Sequence, residues 1–253
     1  MGNTVCLLKF GEKKYMEAFA RGEMYFSNAL GFRQIEEKEF IKGQGDKLEG
    51  SSLIQAQNMT MIEKDSNNVV LSGIGGSVLV HYESANLLPV YCLFACYEDD
   101  CTLSADGNIV FHFSEKIKNC IRSHFPKANS VAIIKKPNEF VDNVKETIGT
   151  ECVADYVNYF NLYGLDTEKG RAIDLEYFKY MTQDVPPQKV ENGMRYVFCA
   201  DYVYRSLLCK DVYFRDEHEY RFILPNETIN KGKVYPVKVN QTISVVSLEE
   251  LFG

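Results

Sequence analysis

The 253-residue sequence predicts an α+β chain built on a mainly antiparallel sheet. Three observations lead there. The chain opens strand, helix, strand; its middle is a succession of short apolar runs separated by Asn, Asp and Gly turn signals; and no Gly-rich phosphate loop joins a strand to a helix. Composition agrees, because 45% hydrophobic and 25% charged residues describe an ordinary folded chain and exclude general disorder.

Residues 5–10 are dense enough in apolar and branched side chains to read as a strand, and 12–21 carry Tyr15, Met16, Ala18 and Phe19 at helical spacing. Gly22 stands where a helix C-terminus wants a glycine, and 23–28 form a second strand candidate. A short helix is expected over 29–39, followed by the turn-rich 42–46. Strands are then expected over 52–57, 58–62, 69–72 and 77–82, with Gly73-Ile74-Gly75-Gly76 as a flexible turn. The apolar run 88–97 and the segment 107–113 are further strands, and Ser114 caps a helix over 115–123. A strand at 131–135 precedes a polar, helix-like stretch that runs to 159. The Tyr- and Phe-rich 156–180, broken by Gly164 and Gly170 and stopped by Pro186-Pro187, completes a helical insertion at about 139–190. A last helix at 200–208 leads to strands at 212–214, 219–224, 234–239 and 243–246. With no repeat and no clean linker, 1–253 reads as one domain.

The charge balance is −7, which removes any global reason to hold a polyanion, although Lys9, Arg33, Arg205, Arg215 and Arg221 are expected to build a local positive cleft. The N-terminus shows no secretory pattern, no run is long enough to span a membrane, and Cys6 stands where a myristoylation motif wants Ser or Thr; a cytoplasmic location follows. The eight cysteines lack Cys-x-x-Cys pairs and read as free thiols, with Cys92, Cys96 and Cys101 the one cluster and no metal site expected. The segment 43–50 reads as a surface turn, and His81, His112 and His124 are scattered. Sixteen Tyr and sixteen Phe without a Trp promise rings that are apolar in body and, for Tyr, polar at the tip.

The chemistry-bearing segment is Asp216-Glu217-His218-Glu219-Tyr220-Arg221-Phe222. On a strand, Glu217, Glu219 and Arg221 share one face and His218, Tyr220 and Phe222 the other. Two carboxylates at that spacing can divide labour, one stabilising a developing cation while the other orients or deprotonates a nucleophile.

Together with Leu7-Leu8-Lys9-Phe10, the following helix and Gly22-Glu23-Met24-Tyr25-Phe26-Ser27-Asn28, this segment resembles the signatures of the ADP-ribosyltransferase fold, over roughly residues 5–30 and 210–225. The order Lys9-Phe10, Tyr25-Phe26-Ser27, Asp46 with Glu49, and Glu217-x-Glu219-x-Arg221 is also similar to a widespread uncharacterised bacterial family that opens with a Lys-Tyr pair. The resemblance implies an ADP-ribosyltransferase-like core that uses NAD without a metal. Lys9 stands where Arg or His is common and would meet the ribose or phosphate, with Phe10 and Arg221 beside the cofactor. Tyr25 would stack on nicotinamide or Ser27 would hold the glutamate; Glu219 would be the catalytic carboxylate and Glu217 the acceptor-orienting one. The expected function is NAD-dependent ADP-ribosyl transfer to a protein or nucleic-acid acceptor, by a bacterial toxin or antiphage effector. Two rivals accompany it: NAD hydrolysis in the same pocket, and a non-enzymatic recognition module that uses the Tyr-rich 156–180 as its partner surface.

Overall fold

β1 (Thr4–Gly11) and β5 (Val90–Tyr97) lie at the centre of a six-stranded sheet, and their sequences show why. Both are nearly uninterrupted apolar runs, the pattern of strands covered on two faces. Leu7, Leu93, Ala95, Ala132 and Ile134 point to one core, whereas Cys6, Leu8, Phe10, Phe94, Cys96, Val131 and Ile133 point to the other. The computed structural model describes residues 3–32, 50–62, 66, 68–104, 107–161, 175–191, 193–195 and 198–253. Arg33, Asp46, Glu49, most of the 43–50 turn, the end of the 29–39 helix, Tyr163, Gly164 and Gly170 lie outside them.

β1 leads into α1 (Lys13–Ala20), whose Met16 and Phe19 are buried. Gly22 ends it at φ 95°, and a Cβ there would stand 2.1 Å from the Val237 carbonyl oxygen, so only glycine fits this junction. β2 (Glu23–Phe26) follows, and a helical stretch covers 29–32. β3 (Ser51–Ile62) and β4 (Val69–His81) form one long antiparallel hairpin. The expected turn at Gly73-Ile74-Gly75-Gly76 lies inside β4, a correction whose cause is that ladder pairing with β3 carries these glycines through as strand, with the register slips that glycine tolerates.

α2 (Glu83–Asn86) precedes β5; β6 (Cys101–Leu103) and β7 (Ile109–Phe111) make a small hairpin. Ser114 caps α3 (Glu115–His124) by accepting from the Ile117 amide at 3.3 Å. β8 (Ser130–Ile134) and α4 (Pro137–Ile148) come next. The helical insertion expected over 139–190 is not the outcome: after α4 the chain supplies β9 (Val153–Tyr156), an edge strand of the main sheet, and β10 (Asn158–Phe160), and only then α5 (Leu175–Thr182). The described Tyr and Phe of 156–180 turn inward, with Tyr177 buried and Tyr156, Tyr159, Phe160, Phe178 and Tyr180 at least half-buried, because they pack on one another and on the sheet. They offer no aromatic partner surface among the described residues.

β11 (Gln188–Val190) pairs with β12 (Gly193–Arg195). Ala200–Leu208 is 3-10 helix, and β13 (Cys209–Asp211) runs parallel to β10. Val212–Glu217 is again 3-10 helix, not the expected strand, because Asp211 caps it by accepting from the Tyr213 amide at 2.9 Å. β14 (Glu219–Ile223), β15 (Lys233–Pro236), β16 (Ser244–Ser247) and α6 (Leu248–Phe252) complete the chain. The main sheet has the order β16-β8-β1-β5-β14-β9, and every neighbouring pair is antiparallel. α1 and α4 cover one face, while α3 and α6 cover the other. No helix among the described residues is long and apolar enough to cross a membrane.

Candidate functional site

The site opens where two central strands part. β1 pairs with β5 from Thr4 to Leu8, after which Lys9, Phe10 and Gly11 pair with β8 alone and Val90–Leu93 pair with β14. On the far side Ser27 hooks β2 to β5 through reciprocal backbone bonds to Val90 of 3.0 and 2.7 Å. Asn28 holds that junction by accepting from the Gly31 amide at 2.8 Å and donating to the Ile229 carbonyl at 2.5 Å. The gap is a cavity of about 820 Å³, inside the usual range of roughly 300–1,000 Å³ for ligand pockets.

Lys9, Phe10, Tyr25, Ser27, Glu217, Glu219 and Arg221 all line this cavity. Lys9 Nζ donates to the Cys92 carbonyl at 2.7 Å and stands 4.4 Å from the Tyr91 ring centroid, so the side chain bridges the parted strands. Burial lowers its pKa, against the opposing pull of Cys92 and Glu219. Phe10 is buried, packed against Phe94 and Phe125, and walls the cavity from below. Tyr25 is 59% exposed at the rim. Its ring crosses Gly232 so closely that a Cβ there would stand 1.9 Å from the hydroxyl oxygen. Tyr15 and Phe125, also exposed, extend the aromatic rim.

The carboxylates reach the cavity by a route other than strand alternation. Glu217 ends the 3-10 segment and His218 takes a left-handed φ of 42°, so Glu217 is not on the strand that carries Glu219 and Arg221; the expected shared strand face is corrected accordingly. Lys210 joins them instead, donating to Glu217 Oε2 at 2.5 Å and to Glu219 Oε1 at 3.1 Å. Arg221 donates to Glu219 Oε2 from Nε at 2.6 Å and to the Leu207 carbonyl at 2.5 Å. His124 Nδ1 lies 3.1 Å from Glu217 Oε1. Charges therefore alternate along His124, Glu217, Lys210, Glu219 and Arg221. Burial pushes the Glu219 carboxyl upward, but Arg221 and Lys210 outweigh it and hold its pKa at about 2. Burial likewise opposes the charge on His124, yet Cys120 and Glu217 lift its pKa to about 9. Glu217 Oε1 is buried, faces His124 and belongs to the residue that lines the cavity there.

Sequence reasoning missed Lys210, His124, Tyr91 and Tyr159, whose hydroxyl accepts from the Glu219 amide at 2.9 Å. Lys210 carried a readable signal: a lone cation after Ser206-Leu207-Leu208-Cys209 demands a buried partner. The expected positive cleft is only partly formed. Lys9 and Arg221 belong to it, but Arg205 pairs with Asp184 and Arg215 is exposed away from it.

The chain matches no protein-family model, no curated protein and no solved structure.

Proposed function

We propose that this cavity binds NAD and that the chain transfers its ADP-ribosyl group to a macromolecular acceptor, as an effector acting inside a cell. The observation that carries this reading is convergence: seven residues selected from the two ends of the chain line one cavity of ligand size. The cavity also fits the ligand chemically. Lys9 offers donors for ribose or phosphate oxygens, Tyr25 a ring for nicotinamide, and Glu217 Oε1 a buried carboxylate oxygen on the cavity wall. An ADP-ribosyl core within the α+β fold belongs to the same proposal.

The division of labour follows from charge. With a pKa of about 2, Glu219 is ionised at any physiological pH and is too weak a base to collect a proton; it serves to hold a ribose hydroxyl and to stabilise positive charge that develops at the sugar. As the glycosidic bond breaks, nicotinamide leaves neutral with the bonding electrons. The acceptor's lone pair closes on the sugar, and Glu217 Oε1 receives the acceptor's hydrogen. Arg221 and Lys210 fix the two carboxylates. Transfer is preferred to hydrolysis because exposed Tyr15, Tyr25 and Phe125 give the mouth an apolar rim of the kind that seats a macromolecule, which water does not need.

The test incubates the full chain with NAD labelled in the adenylate and with cell lysate. Label in macromolecules, reduced on the order of 100-fold or more by Glu219→Gln at matched folding, supports transfer. Free nicotinamide without macromolecular label replaces transfer by hydrolysis. Neither product from folded wild-type protein overturns the enzymatic reading.

A further inference from the structure

We propose that Cys6, Cys96 and Cys101 form a three-thiolate site for monovalent copper, on the sheet face that α3 and α6 cover. Their sulfurs all lie within 4.8 Å of one another, and the residues are 0%, 0% and 1% exposed. Sequence spacing alone grouped Cys92 with Cys96 and Cys101; in the fold Cys6 takes its place, because the cluster is assembled across strands.

Three local features build the site. The β1–β5 register advances two residues on β1 for one on β5 between Thr4 and Cys6, a bulge at Val5 that sets Cys6 directly opposite Cys96. The turn from Tyr97 to Asp100 is locked by the Asp100 amide donating to the Tyr97 carbonyl at 2.9 Å and by the Tyr97 amide donating to Asp100 Oδ2 at 3.0 Å. That turn folds Cys101 back over Cys96, where its thiol meets the Tyr97 carbonyl at 3.6 Å. An apolar shell of Leu8, Phe94, Phe113 and Ile117 encloses the sulfurs.

The donor set selects the ion. Thiolates are soft ligands that favour monovalent copper, zinc and iron–sulfur clusters over oxygen-seeking ions. Structural zinc takes four ligands. Among the described residues no fourth His, Cys, Asp or Glu donor joins the group, and complete burial keeps solvent from supplying one. Monovalent copper is satisfied by three sulfurs. A disulfide would draw two sulfurs together and leave the third idle, whereas all three are mutually close here. Entry is available at Cys101, which begins a three-residue strand whose other two residues are exposed.

The test is anaerobic titration of the reduced full chain with copper(I) against a coloured copper(I) chelator, beside a parallel zinc titration. One copper withdrawn per chain, with an X-ray absorption spectrum showing a first shell of three sulfurs, supports the site. Cys6→Ser, Cys96→Ser and Cys101→Ser should each weaken copper binding on the order of 100-fold or more, while Cys199→Ser, outside the cluster, should not. Failure to compete with the chelator, a shell of fewer sulfurs, preference for zinc, or equal loss in Cys199→Ser overturns it. Should a serine variant fail to fold, the sulfur count in the wild-type protein still decides. NAD turnover plays no part in either outcome.

Discussion

At the scale of single residues, the site is governed by buried charges that must be neutralised where they stand. Lys210 is 4% exposed between two carboxylates, and Lys210→Met would leave Glu217 and Glu219 facing each other without their shared cation. Removing one partner of a buried ion pair costs about 3–5 kcal/mol, so a urea titration of Lys210→Met should show a loss of that size. His124 gives a pH-dependent effect whose sign can be worked out. Its folded pKa of about 9 lies above the ordinary 6.5, so its contribution is complete below pH 6.5 and is lost as pH rises through 9. Thermal melts should show wild-type stability falling across that window, by roughly 1–2 kcal/mol after screening, and a flatter profile for His124→Asn. Parallel profiles for the two proteins would refute the assignment. Glu219 works in the opposite direction: its stabilisation is present above the ordinary carboxylate value of 4.5 and is lost as pH falls toward 2.

At the scale of elements, the termini of helices and strands place these residues. Ser114 caps α3, and α3 delivers His124 at its last position. Ser114→Ala should cost about 1 kcal/mol in a denaturant titration. Gly22 ends α1 against the backbone of Val237, and Gly22→Ala, strained both by its positive φ and by that contact, should cost on the order of 1–3 kcal/mol in the same assay. Gly22 and Ser114 were legible in the sequence because each acts through its own neighbours. So were β1, α1, β5 and β14, whose apolar runs need no partner to be recognised. The helix at Ala200–Leu208 was legible in its bounds, though not in its 3-10 form; Val212–Glu217 was not, since its residues also suit a strand and capping by Asp211 decided it. Nor was the link between Glu217 and Glu219. Period-two alternation placed them on one strand face, whereas left-handed His218 interrupts the strand and Lys210, from another element, makes the connection. Long-range pairing of this kind leaves no mark on sequence spacing.

At the scale of the whole molecule, the chain combines a sheet buried on both faces with a long two-stranded hairpin. β1, β5 and β8 are enclosed between α1 with α4 and α3 with α6, and their amides can exchange only when these layers separate. β3 and β4 run 12 and 13 residues yet, among the described residues, pair only with each other, and a two-stranded hairpin alone is marginal in water. It is anchored at the root, where Ser52 Oγ meets the Tyr177 hydroxyl at 3.0 Å and Leu79 packs against the cluster of Tyr177, Met181 and Cys209, while Ser51 Oγ closes the root on itself by meeting His81 Nδ1 at 2.6 Å. Val69 and Val70, toward its other end, are exposed. Native-state hydrogen exchange should therefore separate the two regions: slow, global-unfolding exchange for β1, β5 and β8, and faster local opening in the hairpin that grows with distance from Ser51. The cavity lies at the boundary of the rigid part, because Lys9 and Cys92 stand where the central strands have just parted. NAD bound there should slow exchange at residues 9–11 and 90–94 while leaving the far end of the hairpin unchanged. Protection that appeared only in the hairpin would place the ligand outside the cavity.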